Sequence, residues 1–513
     1  MSYDALVVGA GHNGLVAAAD LARAGRRVLV LERRELVGGA AVSEQVWPGW
    51  TVSTASYVCS LLDPQIVADL DLAAHGYAAY RKDPASFTPL LDGRSLLLGR
   101  DAAANAAEIA AFEPADVAGY AAFETEAERL GAALADTFAC EDPRLIAFAG
   151  DIERAFAGSV AALVERFVRT PVLQATLATD GLIGTDAGPF DPGTGYVLAH
   201  HYAGRALGVQ GAWGYVRGGM GAISRALASA AQAAGAEIRT QAPVAKIVVA
   251  GGRTRGVVLV DGSELWAEAV FSNADPLTTF RTLVGEAHCP AALRAQLARW
   301  RSEGVSLKLN LALGELPQFL ARPGRGPQSH HRATIHVAPS LAYLQDAHDD
   351  ARRNGASGAP LLECFLQTPT DPSLAPPGKH LLSIFAQYFP YRRADGPWTS
   401  VRRDEAQRTI VATLAAYAPN LPNAIEAAQL LAPPDLEARF GLHGGHIFHG
   451  ELLPGQILGE RFAATTPLDG LYLCGSGAFP GGCVSGVPGR RAARAYLVRA
   501  RGLADAAGVA RNA

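Results

Sequence analysis

Cysteine is scarce, with six in 513 residues. They fall at Cys59, Cys140, Cys289, Cys364, Cys474 and Cys483, and no two stand at CxxC spacing. That excludes a disulfide scaffold, a zinc ribbon and a thioredoxin-type redox pair. Charge is scarce too: charged residues are 18%, and 45 Lys and Arg against 49 Asp and Glu leave a formal charge of −4. Without a cationic surplus, bulk nucleic-acid binding is excluded. One long uncharged run, Gly470 to Gly489, holds seven Gly and two Pro in 20 residues. It reads as a loop-rich element and not as a membrane span. The opening, MSYDALVVGAGHNG, has Asp4 where a secretory leader needs Lys or Arg. A cytoplasmic, reducing location is expected, with contact at a membrane surface left open. Hydrophobic residues are abundant, at 49%. A chain this apolar and this long buries a large core, about two to four domains' worth.

The first 31 residues predict a β-α-β unit: a strand over 4–8, a helix over 13–24 ended by Gly25, and a strand over 27–31. Residues 65–180 read as mostly helical, with Glu113-Pro114 and Asp142-Pro143 as punctuation. A glycine turn leads into a helix over 218–235, followed by a strand over 236–240. A strand pair over 244–250 and 255–260 turns at Gly251-Gly252, and 269–273 forms another strand. Between 286 and 455, strands are expected at 305–313, 361–367 and 380–387, with one helix near 402–417. A strand over 471–474 and a helix over 486–502 close the chain, and the tail after about 503 is expected to fray.

Gly9-x-Gly11-x-x-Gly14 lies between the first strand and its helix, and Glu32 ends the second strand, 21 residues after Gly11. Gly9 permits the tight turn, Gly11 lets the backbone approach a pyrophosphate, and Gly14 lets the helix pack close to the strand. Glu32 can accept from a ribose hydroxyl, and the helix N-terminus offers free N–H groups to phosphate. Strand, helix, second strand and acid stand in order, which points to a dinucleotide. Gly38-Gly39 follows the acid, as a longer ligand would need. There is no second fingerprint, because Pro480 replaces the third glycine after Gly475-x-Gly477. One dinucleotide is expected, not an FAD with NADPH beside it.

The segment GLYLCGSGAFPGGCVSGVPGRRAARAYL reads as a strand, a glycine-rich crossing and a helix with Pro488 in its first turn. Backbone almost bare of side chains at a helix N-terminus suits a flat ligand with partial negative charge, such as a reduced isoalloxazine. Tight packing alone is the other reading of such a loop.

These segments, with GAWGYVRGGMGAISRAL, SNADP and HGGHIFHGE, resemble the phytoene desaturase-related, carotenoid and retinoid oxidoreductases over about residues 1–500. The resemblance implies an α/β fold with an α+β substrate part. Its Rossmann-type FAD-binding domain is of the amine oxidase and p-hydroxybenzoate hydroxylase kind and is discontinuous, with an inserted substrate domain. The FAD-binding parts are then 1–64, 216–285 and 456–505. Residues 65–215 make a helical substrate part and 286–455 a substrate domain. It implies FAD contacts from Gly9, Gly11, Asn13, Gly14, Glu32 and Arg33, and from Gly38, Gly39, Ala40 and Ala41. Val244 falls near the adenine, and Gly475, Gly486 and Val487 near the pyrophosphate and flavin. Two positions depart from the family: Phe479 stands where His is common, and Cys483 where Gly is usual. Acid–base chemistry at position 479 is therefore excluded.

The catalytic residues stay open, with His446, Tyr57 and His201 as candidates. His443, His446 and His449 recur at intervals of three, but Gly444-Gly445 disfavours the helix that would align them. If the segment is extended, His446 and His449 point apart, no metal is held, and His446 faces a pocket where proton transfer suits an imidazole. One of His200 and His201 is expected to face a pocket. Trp213 and Tyr215 read as packing or as a substrate cage, and Tyr57 can line the flavin's face. The expected function is FAD-dependent dehydrogenation, saturation or isomerisation of a hydrophobic, isoprenoid- or polyene-like small molecule. The alternatives are oxidation of a smaller amine, alcohol or aromatic metabolite, or flavin binding without turnover. Oxygen and quinones are both open as electron acceptor, and the oligomeric state is open.

Overall fold

The computed structural model describes residues 3–511. Two seven-stranded sheets organise it. The first begins with the strands Tyr3–Val8 and Val28–Leu31, whose near-continuous apolar runs are buried, as in parallel strands covered on both faces. Tyr3–Val8 lies between Val28–Leu31 and Glu264–Ser272, parallel to both. Glu237–Arg239 and Leu471–Leu473 extend the parallel part on either side. Val244–Ala250 and Arg253–Leu259 add an antiparallel flap. This sheet therefore gathers strands from both ends and the middle of the chain.

The helix His12–Arg23 covers one face of that sheet, packed against Gly221–Ala233 and Val487–Arg511. Small residues bring these helices close: a Cβ at Gly489 would stand 1.9 Å from the Asn13 carbonyl oxygen. The second sheet runs in the order Ile425–Leu431, Ser306–Leu313, His380–Gln387, Leu361–Leu366, Thr334–Val337, Ser86–Pro89, Ser95–Leu98. Its pairs are antiparallel except Ser86–Pro89 with Thr334–Val337. Helices between Ala102 and Tyr202 form a separate apolar core, centred on residues such as Phe123, Leu173 and Tyr196.

Several expectations need correction. Residues 65–180 are not uniformly helical: Ala79–Arg81, Ser86–Pro89 and Ser95–Leu98 are strands. They are only three or four residues long; the last two form a local hairpin, while Ala79–Arg81 pairs with Gly214–Val216 and Ser86–Pro89 also with Thr334–Val337, far along the chain. The strand expected at 269–273 begins at Glu264, because its partly exposed first three residues pair with the flap. The helices Leu341–Asn354 and Pro433–Phe440 and the strands Thr334–Val337 and Ile425–Leu431 fall in the stretch read as turns. The final helix continues to Arg511 instead of fraying after 503.

Candidate functional site

A cavity of about 440 Å³ opens where the two sheets meet. Val8, Leu31 and Val244 come from the first sheet, and Ser306, Leu307, Lys308 and Phe385 from the second. The glycine turn forms one wall. Gly9 takes φ +99°, which only glycine adopts without strain. A Cβ on Gly14 would lie 2.3 Å from the Gly9 carbonyl oxygen, so this glycine serves helix-on-strand packing and does not line the cavity. Gly38 N–H donates to the Ala10 carbonyl at 2.8 Å and knits the second glycine pair to the first. A Cβ on Gly39 would sit 3.5 Å from Gly11 Cα, filling the space over the turn. Gly11 caps the helix His12–Arg23 without a side-chain hydrogen bond, so its first N–H groups stay free for an anion.

Glu32 lines the cavity, and its carboxylate accepts the N–H of Ala10 at 2.8 Å and of Arg34 at 2.9 Å. Asn273, in SNADP, donates from Nδ2 to the Gly9 carbonyl at 3.2 Å and props the turn from behind. Around the turn, Asn13 Oδ1, His12 Nε2 and His449 Nδ1 are buried without partners among the described residues, and all three residues line the cavity. Burial holds His12 and His449 neutral, each lowered to about 4. Free helix N–H groups, unpartnered polar atoms and an open glycine cradle fit the phosphates, ribityl and ribose of a dinucleotide. Arg33, Ala40 and Ala41 border the same space.

The remaining wall is mostly apolar: Leu61, Ile183, Trp213, Phe385, Ile447 and Phe448. Tyr57 and His201 also line it, whereas His200 and Tyr215 do not. Residues 194–202 are a helix, which separates the two histidines: His200 turns to the Gly482 carbonyl, 3.2 Å from its Nε2. Lys308 interrupts the apolar wall. Its ammonium bonds the Ser383 hydroxyl, lies 4.7 Å from the Tyr57 ring centroid, and is lowered by burial to about 7. Burial, with Glu363 next in effect, raises the Tyr57 hydroxyl well above its ordinary value. Lys308 escaped sequence reasoning, because nothing local separates it from a lysine at a strand edge. Cys483 lines the cavity at φ +71°, a left-handed backbone where the resemblance leads one to expect glycine.

Gly475, Gly486 and Val487 do not line the cavity, although their neighbours Ser476, Cys483 and Val484 do. A Cβ on Gly475 would lie 2.6 Å from the Asn273 carbonyl oxygen, and one on Gly486 would lie 2.8 Å from Ile66. These glycines let the crossing pass close to other backbone and side chains. Phe479 is fully buried and packs against Phe138 and Arg491.

HGGHIFHGE is not extended. Gly444, Gly445 and His449 take φ of +63°, +68° and +57°, and the segment coils in tight turns. It is His449 that reaches the cavity. His446 is fully buried outside it, 3.4 Å from Glu451, which also accepts from the Thr185 hydroxyl at 2.6 Å. His443 sits near the surface beside Glu437. Among the described residues, no group of three or more His, Cys, Asp or Glu is placed to hold a metal ion. The Arg461 guanidinium, fully buried, donates to the carbonyls of Phe448 at 2.7 Å and Ser476 at 2.8 Å, fixing two cavity-lining residues. Among the described residues, no helix is long and apolar enough to cross a membrane.

Residues 14–497 match the flavin containing amine oxidoreductases. Mouse pyridine nucleotide-disulfide oxidoreductase domain-containing protein 2 is 40% identical over 537 residues, covering 96% of this chain and 92% of the mouse protein. A lycopene-forming phytoene desaturase from Paracoccus sp. is 27% identical over 516 residues, covering 96% of this chain and 97% of the desaturase. A solved variant of putrescine oxidase has the same fold, with a TM-score of 0.63 at 15% identity, covering 97% of this chain and 99% of that one. Fingerprint, fold and relatives agree on an FAD-dependent oxidoreductase, and the chain belongs to the flavin containing amine oxidoreductase family.

Proposed function

We propose that this oxidoreductase acts on a lipophilic, isoprenoid-like molecule seated against the apolar wall. The observation that carries the reading is that wall: Leu61, Ile183, Trp213, Phe385, Ile447 and Phe448 line the cavity that the glycine turn also borders. The Paracoccus relative, named for a phytoene substrate, supports it. In this reading, segments 1–64, 216–285 and 456–505 form the cofactor side, and 65–215 and 286–455 the substrate side. Glu32 and Val244 would hold the adenosine of FAD, and Gly11, Asn13, Gly39 and the free N–H groups of the first helix its phosphates. Bound FAD supplies a hydride acceptor at N5.

The chain's own residues bind, orient and exclude water. Trp213, Phe385 and Phe448 offer apolar surface, which favours a hydrophobic ligand by about 25 cal/mol per Å² removed from water. Lys308, lowered to about 7, can hold or release a proton at Nζ near neutral pH. That polar group in an apolar wall is what a second reading would use, a smaller amine, alcohol or aromatic metabolite. Anaerobic mixing of the yellow protein with isoprenoid hydrocarbons and alcohols in one series, and small amines and aromatic alcohols in another, separates the two. The first reading expects bleaching of the flavin band by the lipophilic series; bleaching by small amines alone would replace it with the second.

A further inference from the structure

His201 stands in the last turn of the helix Thr194–Tyr202, fully buried and on the cavity wall. Its Nδ1 lies 2.7 Å from the Asp180 carbonyl oxygen and 3.0 Å from that of Val197. Carbonyl oxygens only accept, so Nδ1 carries the hydrogen, and in the neutral ring Nε2 carries the lone pair. Nε2 is buried and has no partner among the described residues. The ring is held in place by Trp213, stacked at 5.7 Å, and by Phe448 at 6.0 Å between centroids. A buried acceptor with a fixed tautomer, a fixed ring and nothing to accept from is an unfilled half of a hydrogen bond.

We infer that His201 Nε2 selects, among lipophilic ligands, those that carry a hydrogen-bond donor such as a hydroxyl. The inference rests on the lipophilic reading above and narrows it from hydrocarbons to apolar molecules with one O–H or N–H. The physics is asymmetric. A ligand with a donor satisfies Nε2, whereas one of the same shape without it leaves the nitrogen desolvated and unpaired. If the carbon bearing that hydroxyl is oxidised, its hydride would pass to bound FAD and the hydroxyl proton to Nε2.

The test uses the FAD-loaded enzyme and two probes with one apolar skeleton, geraniol and geranyl methyl ether. Dissociation constants come from perturbation of the flavin absorption spectrum during titration, with no turnover needed. The wild type is expected to bind the alcohol roughly tenfold more tightly than the ether, the worth of one buried neutral hydrogen bond. His201→Leu should erase that difference while keeping the ether's affinity, and His201→Gln, whose amide oxygen can accept, should recover part of it. The glutamine variant also covers the case in which the leucine variant fails to fold. Equal affinity of the wild type for both probes would overturn the role of His201 and leave the lipophilic reading standing. A preference unchanged in either variant would do the same. Failure of both probes to bind would remove the lipophilic reading, and the inference with it.

Discussion

The carboxylate of Glu32 accepts the N–H of Ala10, inside the glycine turn, at 2.8 Å. The acid that ends the second strand thus also braces the turn that follows the first. Its other oxygen takes the N–H of Arg34 at 2.9 Å. Glu32→Ala is therefore expected to do two things. A lost charge-assisted bond to ribose weakens FAD by about 1.5–3 kcal/mol, roughly 10- to 150-fold. A buried and a part-buried N–H group without an acceptor also lower the stability of the cofactor-free protein. FAD titration and denaturant melts of the apoprotein measure the two effects separately; an unchanged dissociation constant would free Glu32 of any contact with the cofactor.

Gly14→Ala is expected to destabilise the protein by about 1–3 kcal/mol through overpacking, because its methyl meets the Gly9 carbonyl oxygen at 2.3 Å. Gly25→Ala is the control. A Cβ there would meet nothing within 4 Å among the described residues, so the variant pays only for a left-handed backbone at φ +76°, about 1 kcal/mol. Thermal melts of the two variants should separate them, and FAD retention should fall only for Gly14→Ala.

Lys308 makes stability rise with pH. An ordinary lysine titrates at 10.5, but burial lowers this one to about 7 in the folded chain. Between those values the unfolded chain binds the extra proton, so folding becomes more favourable as pH climbs. Below about 7 the cost of burial is at its full size. Lys308→Met removes it, and the variant should gain most over the wild type near neutral pH, with the gain shrinking toward pH of about 10. Denaturant melts across that range check the sign; a gain independent of pH would contradict the depressed pKa.

His446→Ala should cost stability and leave FAD in place. Burial pushes the Glu451 carboxyl up, but His446, 3.4 Å away, and the hydrogen bond from the Thr185 hydroxyl hold it below its ordinary value. Removing one partner of such a buried pair typically costs about 3–5 kcal/mol. Because Glu451 is held low, its contribution is present above the ordinary glutamate range and is lost as pH falls below that range, through its lowered value in the folded chain. Melts at neutral and acid pH, with flavin content measured in parallel, test this. His449→Ala, on the cavity wall, should instead disturb the flavin spectrum.

What was legible in the sequence was local. Gly9, Gly11, Glu32 and Gly38 lie within about 30 residues, in an order that one β-α-β unit imposes, so spacing alone brings them together. The long-range features were not. Lys308 sits in a strand whose eight residues are all buried, and only the packing of two neighbouring strands reveals that a lysine has been covered. An extended backbone would place His446 on the cavity; three left-handed residues instead coil the segment and present His449. Gly475 and Gly486, expected at the pyrophosphate and flavin, do not line the cavity but let the backbone pass Asn273 and Ile66, which no spacing rule could name.

The central claim is that the apolar wall receives substrate while the glycine turn holds FAD. Ile183→Asp tests it most directly, because Ile183 is apolar, lines the cavity and lies far in sequence from the fingerprint. FAD content and the anaerobic rate of flavin reduction by a lipophilic donor are measured on the same sample. The predicted result is one FAD per chain, as in the wild type, with the reduction rate down at least about tenfold, since a buried carboxylate rejects an apolar ligand. Loss of FAD with the substitution, or a reduction rate unchanged by it, would contradict the division of the cavity between cofactor and substrate.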